Sequence, residues 1–160
     1  MTRFIVLAVF TIVGQQAAIA APVTATGPAA LALAAVIAQH SPLVRAFDKR
    51  IIARLFSGRT NFGFTPNKKI SVTADSVVCR TSNVDITSRT CDLTFDVRKH
   101  ALTGREANEI SATGLTAGAS SEGAAGSIVE NISKLECAID PNEIMKKDGG
   151  GAECTFETGQ

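Results

Sequence analysis

Apolar and polar positions along this chain recur with two different periods, and the switches between them mark off helical and extended segments. The clearest extended stretches lie near the C-terminus. Leu135, Cys137 and Ile139 share one parity, as do Ala152, Cys154 and Phe156, so each short strand carries a cysteine on its apolar side. Between them, Asp140-Pro141 predicts a helical turn over 142–147 that Gly149-Gly150-Gly151 ends. Upstream, Cys91, Leu93, Phe95 and Val97 alternate cleanly with Asp92, Thr94 and Asp96. Residues 69–79 also alternate, with one change of phase: Ile70, Val72, Ala74 and Val78 lie on one side, Val77 and Cys79 on the other. That phase change predicts a bulge, or a sheet partly covered on both faces.

Helical spacing fills most of the remainder. Pro28 opens an alanine- and leucine-rich run to His40, which predicts a buried helix. Ser41-Pro42 reads as the N-cap and first-turn proline of a second helix reaching about Phe56. Its Leu43, Val44, Phe47, Ile51, Leu55 and Phe56 recur at three- and four-residue steps, and Ser57-Gly58 supplies the stop. Thr103-Gly104-Arg105-Glu106 is a capping box, predicting a helix to about Ala117 with Ala107, Ile110 and Gly114 inward. Another helix is expected from about Glu122, with Ala125, Ile128, Val129, Ile132 and Leu135 at helical spacing. Residues 21–27, small and polar, read as a flexible leader. The order is then helix, helix, hairpin, twice over, with a cysteine pair in each hairpin. The expected class is α+β: helix pairs with an antiparallel sheet built from two disulfide-clipped hairpins, in one domain over 28–160. An internal duplication into units 28–100 and 101–157 is one reading of that order.

The N-terminus changes the expected location. Arg3, an apolar run from Phe4 to Val13 and the small-residue site Ala18-Ile19-Ala20 form the pattern of a secretory signal peptide over 1–20. The run is shorter than the roughly 20 apolar residues a membrane-spanning helix needs. A periplasmic or secreted protein is therefore expected. In such a compartment Cys79, Cys91, Cys137 and Cys154 read as two disulfides. Three connectivities are open on paper, and sequential pairing, Cys79 with Cys91 and Cys137 with Cys154, is expected because each pair brackets two strand-like runs. A metal site is not expected, since C-x-x-C is missing and His40 and His100 are isolated in sequence.

Charge divides the chain. Residues 21–100 hold eleven Lys/Arg against five Asp/Glu, whereas residues 101–160 hold four against ten. Such a split favours pairing between the halves, or a large dipole. The basic helix over 42–56, with Arg45, Lys49, Arg50 and Arg54, is the candidate interaction face. It suits an acidic partner or anionic lipid, and the competing reading has its apolar stripe in the core and its cations pairing with the acidic half.

No catalytic constellation emerges. The glycine-rich stretch Gly118 to Ser127 is the only one leading into an expected helix; it lacks a P-loop lysine, so close helix packing is preferred over anion binding. No G-x-S-x-G occurs, and the pairs Glu106/Glu109 and Glu153/Glu157 read as solvated faces. Tryptophan and tyrosine are missing, which weakens a carbohydrate-binding reading, and a neutral exported chain is a poor nucleic-acid binder.

At Thr103-Gly104-Arg105-Glu106-Ala107-Asn108-Glu109, Gly123-Ala124-Ala125-Gly126-Ser127-Ile128 and Gly149-Gly150-Gly151-Ala152-Glu153-Cys154, the chain resembles a family of small, uncharacterised exported proteins of Gram-negative bacteria. The likeness spans roughly Val78 to Phe156 and implies no activity. In architecture, paired helices followed twice by disulfide-clipped strands are similar to the plan of the β-lactamase inhibitory protein, which implies a binding role. The expectation is an exported protein-binding, adaptor or inhibitor-like module of the cell envelope, not an enzyme, with a protein partner and no cofactor. A peripheral membrane-surface protein using helix 42–56 and a small periplasmic hydrolase are the alternatives.

Overall fold

A computed structural model describes residues 22–63, 67–82, 88–116, 120–122, 128–146 and 150–158. The expected signal peptide lies outside them. The elements are β1 (Val23–Thr26), α1 (Gly27–His40), α2 (Ala46–Phe56), β2 (Ile70–Thr81), β3 (Arg89–Phe95), β4 (Arg98–Thr103), α3 (Gly104–Thr116), β5 (Ser120–Glu122), β6 (Ile128–Ile139), α4 (Pro141–Lys146) and β7 (Ala152–Thr158). Their strands form one antiparallel seven-stranded sheet in the order β1-β7-β6-β2-β3-β4, with β5 also on β6. Both expected disulfides are present, with Cys79 opposite Cys91 and Cys137 opposite Cys154.

The sheet has the same plan read from either edge. At its centre β2 and β6 pair from Ile70 opposite Ile139 to Thr81 opposite Ile128. Each is clipped by a disulfide to its outer neighbour, β3 or β7, and each outer neighbour pairs with an edge strand, β4 or β1. Both edge strands end in Thr-Gly, Thr26-Gly27 and Thr103-Gly104, with the glycines at φ 64° and 60°, a region open to glycine at little cost. A helix follows each glycine. Three residues further on lies a fully buried alanine, Ala30 in α1 and Ala107 in α3. The Ala30 carbonyl oxygen sits 3.3 Å from Cys154 Sγ, and that of Ala107 3.5 Å from Cys91 Sγ. Disulfide sulfurs carry no proton, so these are packing contacts. Each helix therefore rests its first turn on the disulfide beside its own edge strand.

Burial follows from this layout. α1 buries Ala30, Leu31, Ala32, Leu33, Ala34, Val36, Ile37 and Ala38, nearly all round, because the sheet lies under it and α2 packs on it. Beneath the helices lie Val72, Val77, Leu93, Phe95, Leu102, Ile132, Leu135, Ile139 and Phe156, all at most 2 % exposed. The phase change in β2 is real: Ile70, Val72 and Ala74 are buried, then Val77, Cys79 and Thr81. β2 and β6 keep one register through it. The irregularity lies in β6, where Lys134 adopts φ 48° and the pairing with β7 shifts by one between Ser133 and Glu136.

Five local expectations are corrected. Residues 23–26, expected within a flexible leader, form β1 by pairing with β7 from Val23 opposite Phe156 to Thr26 opposite Glu153. α2 begins at Ala46, because Ser41 is used to close α1: its N–H donates to the Ile37 carbonyl, and its hydroxyl accepts from the Leu43 N–H. The following proline holds Ser41 extended at ψ 126°. Val97 is not in a strand. With Asp96 it makes a two-residue turn between Phe95 and Arg98, both at positive φ, and Arg98–Thr103 returns as β4. Glu106 turns its carboxylate to His40, not back to the start of its own helix. Finally, the helix expected from Glu122 is replaced by β5 and β6: Ile128, Val129 and Ile132 fit helical spacing, but they are β-branched and have β2 to pair with along their length. Residues 118–119 and 123–127 of the glycine-rich stretch lie outside the described residues.

Candidate interaction surface

α2 buries Ile51, Ile52 and Leu55 against the body of the fold. The expected inner stripe is only half realised, since Leu43 is 72 % exposed, Phe47 54 % and Phe56 37 %. With helical spacing of 100° per residue, Lys49, Arg50 and Arg54 occupy the outer face, between Phe47 on one flank and Phe56 on the other. Arg50 and Arg54 are exposed and Lys49 partly so. Arg45, at the N-cap, grips Asp48 through Nε at 2.8 Å and Nη2 at 3.2 Å, and this hydrogen-bonded pairing raises the guanidinium pKa above its ordinary value. Lys49 Nζ donates to the Gln39 carbonyl at 3.1 Å, fastening α2 to the end of α1. The Arg54 guanidinium stands 5.9 Å from the Phe62 ring centre.

A groove of about 480 Å³ runs between α2 and α3 over α1. Ala35, Val36, Ala53 and Phe56 give it apolar walls, and Lys49, Arg50, Arg105, Glu106 and Glu109 supply its charges. Arg105 pairs with Glu109 at 3.6 Å and lies 6.0 Å over Phe56, and the other rim carboxylate, Glu106, is engaged by His40 at the end of α1. Lys49 and Arg50 tip the remaining balance positive.

The two histidines, isolated in sequence, meet in space. Both Glu106 oxygens lie 3.2 Å from His40 Nε2; a carboxylate only accepts, so Nε2 carries the proton in this contact. The His100 ring centre is 6.0 Å from that of His40 and packs edge-on against Phe95 at 5.7 Å. No local period signals this cluster, which forms because His40 at the end of α1 meets Glu106 in the first turn of α3 and His100 of β4. Chemically it ties the C-terminus of α1 to the first turn of α3. The imidazoles do not line the groove, although Glu106 does. Among the described residues, no group of three or more His, Cys, Asp or Glu is placed to hold a metal ion, and no helix is long and apolar enough to cross a membrane.

The four cysteines all sit in the two buried disulfides and hold the sheet together. Of the basic residues expected to form a face, Arg50 and Arg54 share the outer side of α2 with Lys49, while Arg45 is committed to Asp48. No family model matches the chain, and the comparisons with curated proteins and with solved structures found no match.

Proposed function

We propose that this protein is an exported binding module of the cell envelope, periplasmic or secreted, that engages a protein partner through the outer face of α2 and its groove with α3. One observation carries the reading: α2 leaves Phe47 and Phe56 exposed on either side of a basic strip instead of burying them. Exposed aromatics beside arginines are the residue types enriched where protein interfaces concentrate their energy. The charge of the strip fits a partner segment carrying acidic and apolar residues. The disulfides fit an oxidising compartment.

Cross-linked capture from envelope extract with tagged protein, compared with a Lys49→Glu/Arg50→Glu variant of unchanged circular dichroism, tests this. A single stoichiometric partner taken by the parent and lost by the variant is expected. Equal capture by both removes α2 from the interface.

A further inference from the structure

Two recesses lie along α2, and one side chain lines both. The first is the groove with α3, to which α2 contributes Lys49, Arg50, Ala53 and Phe56. The second, of about 120 Å³, lies on the other flank between Phe47 and Phe62, and Arg50, Ile51 and Arg54 complete it. At about 100° per residue, Ala53 and Phe47 project about 120° apart around the helix axis and Arg50 falls midway between them. Arg50 therefore forms the ridge that separates the recesses.

The carboxylates around this ridge are already engaged. Asp48 is held by Arg45, Glu109 by Arg105, Glu106 by His40, and Glu143 of α4, which packs on α2, by Lys146. Among the described residues, no carboxylate pairs with Lys49, Arg50 or Arg54. Lys49 Nζ is turned to the Gln39 carbonyl and Arg54 to the Phe62 ring. Arg50 is thus the exposed cation of the ridge, with apolar surface on both sides of it.

We propose that the ridge reads an acidic motif in the protein partner: one Asp or Glu carboxylate on Arg50, with an apolar side chain two residues to either side, one in the groove and one in the Phe47–Phe62 recess. The inference rests on the protein-binding reading and gives that partner a pattern. In an extended segment, positions i, i+2 and i+4 share one face and span about 13 Å. That matches the width of roughly 10–12 Å of the helix that the two recesses flank. A planar guanidinium takes a carboxylate through two parallel N–H···O bonds, so Arg50 also sets the register of the motif. A single-tailed anion fills the groove and leaves the second recess open, whereas the motif covers both.

The test is fluorescence anisotropy of the purified protein with a labelled nonapeptide centred on Leu-Ser-Glu-Ser-Leu. Saturable binding below about 1 mM peptide is expected, and replacing the peptide's Glu by Gln, or either Leu by Ser, should weaken it about tenfold. Arg50→Gln should remove the preference for the Glu peptide over the Gln peptide. Ala53→Phe, which fills the groove from an exposed position, and Phe47→Ser, which opens the recess, should each weaken the parent peptide about tenfold with circular dichroism unchanged. Decanoate, a single-tailed carboxylate, should displace the labelled peptide at least about tenfold less well than unlabelled peptide does. Absence of saturable binding, equal binding of the Glu and Gln peptides, a Glu preference kept by Arg50→Gln, parent affinity kept by either recess variant, or decanoate as effective as peptide overturns the proposal. If any of these results is obtained while capture from envelope extract still depends on Lys49 and Arg50, the protein-binding reading stands without the motif.

Discussion

Removing the two disulfides one at a time measures whether the two halves of the sheet are held equally. Cys79 and Cys91 are separated by 12 residues, Cys137 and Cys154 by 17. Loop closure in the unfolded chain then puts the two crosslinks at about 2.8 and about 3.1 kcal/mol. Each Cys-to-Ala pair also withdraws two buried sulfurs from a packed site, one of them against the first turn of α1 or α3, for about 1 kcal/mol more. The expected cost is about 4 kcal/mol for Cys79→Ala/Cys91→Ala and the same for Cys137→Ala/Cys154→Ala. In urea, with a slope of about 2 kcal/mol/M, each midpoint should fall by about 2 M. The quadruple variant loses about 8 kcal/mol, comparable to the whole stability of an ordinary domain, and should be unfolded at 37 °C. A loss below 1 kcal/mol for either pair, or a gap above 2 kcal/mol between the pairs, would refute the claim that the halves are clipped alike.

Three further substitutions probe local features. Val97→Gly should raise Tm by about 2–4 °C in calorimetry: relief of about 1–2 kcal/mol of left-handed strain exceeds the roughly 0.5–1 kcal/mol of added chain entropy. Gly151→Ala should cost about 2–3 kcal/mol by urea denaturation, because a Cβ there would stand 2.7 Å from the Asp140 carbonyl and 2.9 Å from the Ile144 nitrogen, both backbone. Ser111→Ala should stabilise by about 1 kcal/mol in the same assay, since the Ser111 hydroxyl is buried with no hydrogen-bond partner among the described residues.

What the sequence discloses here depends on how locally each feature is determined. Alternation alone places Cys91, Cys137 and Cys154 on inward faces, the phase change in 69–79 leaves the side of Cys79 open, and sequential pairing follows once the hairpins are recognised. α1 is legible for the same reason: an alanine-leucine run after a proline has few alternatives. β6 is not, because Ile128, Val129 and Ile132 satisfy both periods, and only pairing with β2, some 60 residues away in sequence, decides between them. β1 is equally hidden, since Val23–Thr26 becomes a strand only against β7. The basic residues of 42–56 were readable as a face, but the exposure of Phe47 and Phe56 was not. Helical spacing places them in the apolar stripe, and the width of the surface that α2 covers sets the stripe at Ile51, Ile52 and Leu55 instead.

The repeated plan of the sheet narrows where a specific function resides. An edge strand, a Thr-Gly turn, a helix on a disulfide, a central strand and a clipped outer strand occur in both halves, and stability explains each of them. α2 breaks the repeat. Among the described residues, the path from α3 to β6 contains the short strand β5 where the path from α1 to β2 contains an eleven-residue helix. Among the described residues α3 has no such helix over it, whereas α1, apolar nearly all round, needs α2 to cover it. Burying Ile51, Ile52 and Leu55 would call for an amphipathic helix, yet an ordinary polar outer face would serve that purpose. Flanking aromatics and three cations on that face exceed what covering α1 demands. α2 is thus an element whose outer-face chemistry the fold leaves unexplained, and substitutions on that face should disturb binding far more than stability.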